Sequence, residues 1–283
     1  MNGHAHQGQD PGAEPHATPV IRCSASDVLR WSGLPAQVSA LTDLVTFPMR
    51  RVRAERTLIH AGQPFETLHL VSGGSFKCVQ TDVEGYEQVL AFALHGDIIG
   101  LDGLGQACHH TGAVALEDST VVALPFLELM SLRRRIPALE TLLHHAIGTE
   151  VLRRGDTQYL MSAPSAEVRV ARFLLQFGQR QAELGHSGRR LRLCMTRRDI
   201  GSYLGVAHET VTRALTALAA EGCIHVLQRD IAITNLAALH ELQRVTRGRM
   251  ARERHADVAR QPADGARIDD AVAFDHPAPN AVH

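Results

Sequence analysis

The segment Thr196–Ala220 reads TRRDIGSYLGVAHETVTRALTALAA. Thr196 followed three positions later by Asp199 is a capping-box-like helix start, in which each side chain satisfies a backbone N–H that the first turn leaves unpaired. Ile200, Tyr203 and Leu204 then fall on one helical face. Gly205 permits the left-handed backbone that ends a helix and turns the chain sharply. Val206 and then Val211, Ala214, Leu215 and Leu218 supply the apolar face of a second helix. Two short helices joined by a glycine-containing turn form a helix-turn-helix. Glu221-Gly222 ends the second helix, and Ile224–Leu227 and Ile231–Thr234 predict a two-strand wing around Gln228–Asp230.

In such a unit the second helix enters the major groove of DNA with its N-terminal residues on base edges. Here those residues are His208, Glu209, Thr212 and Arg213, which lie opposite the Val211, Ala214 and Leu215 stripe and so point outward. Arginine donates bidentately to guanine, glutamate accepts from cytosine N4, and the threonine methyl suits thymine. The competing reading is a surface pair between Glu209 and Arg213, four residues apart. Such a pair contributes about 0.2–0.5 kcal/mol, whereas one good bidentate base contact discriminates by about 1–3 kcal/mol. Thr196, Arg197 and Arg198 at the start of the preceding helix, and Arg229 on the wing, are candidates for phosphate contact. Between residues 164 and 236 ten arginines stand against six carboxylates, a surplus of four positive charges, while the whole chain carries −1. This is the region where local charge points to a polyanion.

Upstream the punctuation changes. From about Arg50 to Pro125 the chain is broken by turn chemistry: Ala61-Gly62-Gln63-Pro64, Ser72-Gly73-Gly74, Glu84-Gly85, His95-Gly96-Asp97 and the Gly100, Gly103, Gly105 group. Short β-type runs lie between these turns at Thr67–Ser72, Ser75–Thr81, Gln88–Leu94, Ile98–Ile99, Ala113–Glu117 and Thr120–Leu124. Many short strands so spaced predict an antiparallel jelly roll or barrel. From Pro125 the period becomes helical. Pro137 suits the first turn of a long helix, whose apolar positions include Leu139, Leu142, Leu143, Ala146, Ile147, Val151 and Leu152. Its stripe predicts a pairing surface for a second copy, with Leu139, Leu143, Ile147 and Val151 at the contact. A further amphipathic helix spans Ala166–Gln181, and Leu191–Met195 is a short β-type run.

Composition agrees with this layout. With 45% hydrophobic and 21% charged residues among 283, the chain has material for a sizeable core. Aromatics are only 4%, so Leu, Val, Ile and Ala must build it. No apolar run approaches the roughly 18 to 20 residues that span a bilayer. Residues 1–19 lack a signal-type apolar stretch, and a cytoplasmic location without membrane association is expected. The five cysteines (Cys23, Cys78, Cys108, Cys194, Cys223) are far apart and odd in number, which argues against a disulfide framework or a metal knuckle. The organisation expected is a disordered tail over 1–20, a β-roll over 21–135, a dimerisation helix over 136–162, a winged helix-turn-helix over 163–242 and a second disordered tail over 243–283. The fold class is α+β.

These segments together resemble the Crp/Fnr superfamily of bacterial transcription regulators, and its Fnr/FixK branch in particular. The resemblance covers about Cys23 to Leu242 and rests on TRRDIGSYLG and ETVTR at the helix-turn-helix, SGGSFK and HGDIIGLDGLG in the roll, and LEDSTVVALPF leading to the long helix. It implies a cyclic-nucleotide-binding-like β-roll, a homodimer on a palindromic double-stranded DNA site, and contact with RNA polymerase. The branch's reading motif, Glu-x-x-Ser-Arg, falls on Glu209, Thr212 and Arg213, with threonine replacing serine, so the resemblance implies a TTGA-like half-site. His208 stands where the branch has an aliphatic residue. Ala207 stands where a hydroxyl often caps the recognition helix.

The resemblance also frames the signal. Relatives that bind cyclic AMP hold its phosphate with a Gly-Glu and an Arg-Ser pair. Here Gly100 precedes Leu101, and the second pair falls near His110 and Thr111. Relatives with an iron–sulfur cluster need four cysteines. This chain keeps Cys23, while other family positions fall on or near Leu29 and on Val122. Histidines such as His109-His110 and His144-His145 offer axial nitrogens to a haem, but adjacent histidines do not face one another on a helix. The expectation is a regulator without a cofactor, and not an enzyme. The alternatives are a version gated by an iron–sulfur cluster, haem or a cyclic nucleotide, and, from another class, a cupin-like metal module built on His60, His69 and His95.

Overall fold

The computed structural model describes residues 21–35 and 40–242. The two expected tails, over 1–20 and 243–283, lie outside the described residues. The chain opens with β1 (Arg22–Ser24), α1 (Ala25–Trp31) and α2 (Ala40–Leu44). The roll follows as β2 (Thr46–Val52), β3 (Thr57–Ile59), β4 (Thr67–Gly73), β5 (Phe76–Thr81), β6 (Glu87–Ala93), β7 (Ile98–Ile99), β8 (Gly112–Ala115) and β9 (Ser119–Pro125). Then come α3 (Phe126–Leu132) and the long α4 (Ala138–Met161). The C-terminal unit contains α5 (Ala166–Glu183), β10 (Arg190–Arg192), α6 (Arg197–Leu204), α7 (His208–Ala220), β11 (Ile224–Leu227) and β12 (Asp230–Ile233).

Two antiparallel sheets make the roll, one in the order β1-β2-β9-β4-β7 and the other β3-β8-β5-β6. Alternation along β4 and β9 sorts their side chains to two faces. Val71 and Val121 enter a core with Phe76, Ala113 and Ala115 of the opposite sheet. Leu68, Leu70, Val122 and Leu124 face the other way, onto α1, α3 and the first turns of α4. Both faces of the five-stranded sheet are therefore buried.

The strands expected from turn spacing lie within about two residues of their observed bounds, apart from the late end of the Leu191–Met195 run. Three strands were not foreseen: β1, β2 and β3. β2 contains Pro48, Arg50 and Arg51 and reads poorly as a strand. It is tolerated because Pro48, which has no N–H to give, sits opposite Arg22 of short β1, while pairing with β9 starts at Met49. The run at Leu191–Met195 pairs only through Arg192, after which Leu193 N–H bonds the Arg229 carbonyl at 2.9 Å.

The long helix begins where Pro137 fixes its N-cap. Its apolar stripe, however, serves two surfaces. Leu139 is fully buried and Leu143 is 8% exposed, both within the roll's own core beside Leu129 and Ile136. This corrects their expected place at the pairing contact, because burial against their own chain withdraws them from it. Ile147 and Val151, one and two turns later, are 42% and 64% exposed, as are Leu152 and Tyr159 in large part.

Candidate nucleic-acid interface

The winged unit is built as its sequence dictates. Thr196 caps α6: its hydroxyl accepts from Asp199 N–H at 3.1 Å, and Asp199 accepts from Thr196 N–H at 2.9 Å. Gly205 ends the helix with φ 65°, the left-handed cap. Gly201 allows the turn to close, since a Cβ there would lie 2.6 Å from the Val206 carbonyl oxygen. α7 starts at His208 behind Ala207, whose methyl provides no cap hydrogen bond. Val211, Ala214, Leu215 and Leu218 anchor it against α5 and α6 in one core with Phe173, Leu174 and Ile200. β10, β12 and β11 form the three-stranded wing sheet.

That anchoring leaves His208, Glu209, Thr212 and Arg213 all exposed on one face. The competing reading, a Glu209–Arg213 surface pair, does not form. Glu209 instead lies 3.2 Å from His208 Nε2, and Arg213 donates to Thr210 Oγ1 at 3.2 Å. Thr212 donates back to the His208 carbonyl at 3.1 Å. These are local, solvent-side bonds that an incoming partner can exchange at little cost. Thr216, one turn further on, shares this exposed face and bonds the Thr212 carbonyl at 3.0 Å. The sequence reading missed it, although its i+4 spacing from Thr212 was the available signal.

The phosphate candidates divide. Arg198 and Arg229 are exposed. Arg197 is half-buried and donates to the Gln228 carbonyl at 3.0 Å, tying α6 to the wing turn; burial lowers its pKa. The Thr196 hydroxyl is already committed to Asp199, donating at 2.6 Å.

The roll carries a cavity of about 790 Å³ against α4, lined in part by Cys78, Asp102, Thr111, Glu150 and Arg154. Asp102 accepts from the backbone N–H of His110 at 2.8 Å and of Thr111 at 2.7 Å, and from the Thr111 hydroxyl at 2.9 Å. Burial opposes its charge, yet these donors, with His109, hold its carboxyl below the usual range. The backbone donors at 110 and 111 thus already serve a carboxylate of this chain, and Glu150 pairs with Arg154 at 3.2 Å. A phosphate would meet two carboxylates there and find its donors taken, so the residues present do not fit a cyclic nucleotide. Nor do the cysteines fit a cluster. Among the described residues no group of three or more His, Cys, Asp or Glu converges as a metal site. Burial pushes the thiols of Cys23, Cys78 and Cys194 up to about 11, 12 and 11.

Comparison with known proteins agrees with this architecture. Residues 168–242 match the Crp-like helix-turn-helix domain and residues 49–135 the cyclic nucleotide-binding domain. The chain is 35% identical over 231 residues to the transcriptional regulatory protein btr of Bordetella pertussis, covering 81% of this chain and 94% of that one. It is 35% identical over 196 residues to the fumarate and nitrate reduction regulatory protein of Escherichia coli, covering 69% and 78%. Among solved structures, FixK2 from Bradyrhizobium japonicum matches with a TM-score of 0.63 at 28% identity, over 70% of this chain and 98% of that one. Fold and site define a transcription regulator in which a helix-turn-helix DNA-binding domain follows a cyclic-nucleotide-binding-like sensor domain. The chain belongs to the Crp/Fnr family, in its Fnr/FixK branch. These relatives are regulators and not enzymes, and no helix among the described residues is long and apolar enough to cross a membrane.

Proposed function

We propose that the protein acts as a homodimer on a palindromic, TTGA-like site, with Glu209, Thr212 and Arg213 reading base edges and His208 tuning the neighbouring position. The observation that carries this is the row of exposed polar side chains on α7, whose opposite face is locked into the core. Arg198 and Arg229 contact phosphates on either side of the groove. Arg197 contributes through the wing turn it braces, and Thr196 by presenting the N-terminus of α6 rather than its hydroxyl. The exposed Ile147 and Val151 pair the two subunits, and the DNA-bound dimer engages RNA polymerase in the cytoplasm. The cavity chemistry and the scattered thiols favour a regulator that needs neither cyclic nucleotide nor iron–sulfur cluster, and the same reading assigns no haem.

Two recognition helices of a dimer match successive major-groove faces about 34 Å apart. Fluorescence anisotropy on TTGA inverted repeats tests the reading directly. Tight binding is expected at the spacing that separates the half-sites by one helical turn, with loss when the spacing changes by half a turn. Equal binding to scrambled duplexes overturns the proposal.

A further inference from the structure

A second cavity lies away from both the roll cavity and the recognition face, where the last turns of α4 meet α5 and the start of the segment after the wing. Its volume is about 530 Å³, inside the roughly 300–1,000 Å³ of small-molecule sites. Leu160, Leu175, Ile233 and Leu236 give it apolar walls. Among these lies Arg172 of α5, which is only 5% exposed. Of its nitrogens, Nη1 donates to the Tyr159 carbonyl at 2.7 Å. The guanidinium carbon sits 4.1 Å from the centre of the Tyr159 ring. Neither contact neutralises the charge. Among the described residues Arg172 forms no ion pair with a carboxylate, and its buried Nε has no hydrogen-bond partner. The one acidic lining residue, Asp156, and the second arginine there, Arg189, are both exposed to solvent.

A buried guanidinium without a counter-charge is costly. The structure retains one here, in the wall of an apolar cavity, with its Nε unmatched. A guanidinium suits a carboxylate, which it meets through charge-assisted N–H donors. We propose that this cavity binds a small organic carboxylate with an apolar body, its charged end on Arg172 and its hydrocarbon against Leu160, Leu175 and Ile233. Such a ligand touches both the long helix and the DNA-binding unit, at a site distinct from the roll cavity. The proposal is independent of operator recognition, since binding is read without DNA.

The test uses the full-length protein and 4-fluorobenzoate as probe, followed by fluorine NMR. Saturable line broadening that benzoate reverses is expected, with no comparable effect on 4-fluorobenzyl alcohol, which has the same ring without the charge. Arg172→Met keeps the apolar stem and removes the fork, and is expected to weaken binding about tenfold or more, the scale of a lost charged hydrogen bond. Should that variant fail to melt cooperatively, Leu175→Trp decides instead, by filling the cavity from a half-buried wall position and abolishing the broadening. Absence of saturable broadening with the native protein overturns the proposal. So does equal binding of the alcohol, or binding unchanged in whichever variant folds.

Discussion

The two helices of the helix-turn-helix are both amphipathic and opposite in circumstance. α6 is clasped to the roll. Its Ser202 hydroxyl accepts from Val89 N–H of β6 at 2.8 Å and donates to the Glu87 carbonyl at 3.3 Å, and the Gln88 amide bonds the Ser202 carbonyl. Lys77 of β5 meets Asp199 at 2.8 Å. Tyr203 lies 5.1 Å from the Phe92 ring and bonds Thr157 of α4 at 3.0 Å. β6 is the edge of its sheet, and α6 covers that edge, supplying partners to backbone groups that would otherwise be open. Behind this junction Asp97 takes both Arg153 of α4 and Arg180 of α5, joining three parts of the chain. α7, in contrast, bonds outward only to itself. The difference fits the proposed roles: α6 fixes where the DNA-binding unit sits on the roll, and the outward face of α7 is left open for a duplex.

Gly201→Ala is the most severe way to break this pairing. The added methyl meets the Val206 carbonyl oxygen, so the turn between the helices must open, at about 3 kcal/mol by the scale of overpacked cores. A lowered melting midpoint together with lost operator binding is expected. Arg213→Ala separates the two helices' roles. It is expected to cost about 1–3 kcal/mol of base discrimination while changing folding stability by no more than about 0.5 kcal/mol, measured by anisotropy and thermal melting on one preparation. A stability loss as large as the affinity loss would show that α7 is structural.

Asp199→Asn probes α6 in turn, removing the charge that faces Lys77 and weakening the Thr196 cap, with an expected stability loss of about 1–2 kcal/mol. Its pH dependence has a fixed sign. Burial works against the Asp199 charge, but Lys77 and Thr196 hold its carboxyl below the ordinary value of 3.8. A depressed folded-state pKa contributes stability that is present above the unfolded value and lost as pH falls through the folded one. The gap between native and variant melting midpoints should therefore hold above about pH 4 and close as pH falls further, through the folded-state value. The smallest effect is a gain. Ala207→Ser supplies the missing cap of α7 and is expected to stabilise by about 0.5–1 kcal/mol, seen as a raised midpoint with base preference unchanged.

Much of this was legible in the chain. The capping residues Thr196 and Asp199, the αL glycine 205 and the spacing of Val211, Ala214 and Leu215 are local rules, and local rules place α6, its turn and the outward face of α7. The roll strands were legible wherever glycine turns bracket β-branched runs. β2 was not, because Pro48, Arg50 and Arg51 look wrong for a strand until the short partner β1 is seen beside them. Leu139 and Leu143 were misassigned for a related reason: a stripe at helical spacing shows that a face is buried, and does not show whether its own domain or a second copy buries it. Lys77, the only lysine in the chain, carried no local sign that it meets Asp199, 122 residues away.

The sequence alone determined α6, α7 and the turn between them, most of the roll strands, and the outward set His208, Glu209, Thr212 and Arg213, because helix periods, caps and turn residues are properties of neighbours along the chain. Only the tertiary structure decided that α6 is clasped to the roll, that Asp102 satisfies the backbone donors of its own cavity, and that Arg172 is buried without a counter-charge. Those facts depend on which charges and hydrogen-bonding groups meet across long stretches of chain, and the energy of a buried charge is set by that meeting.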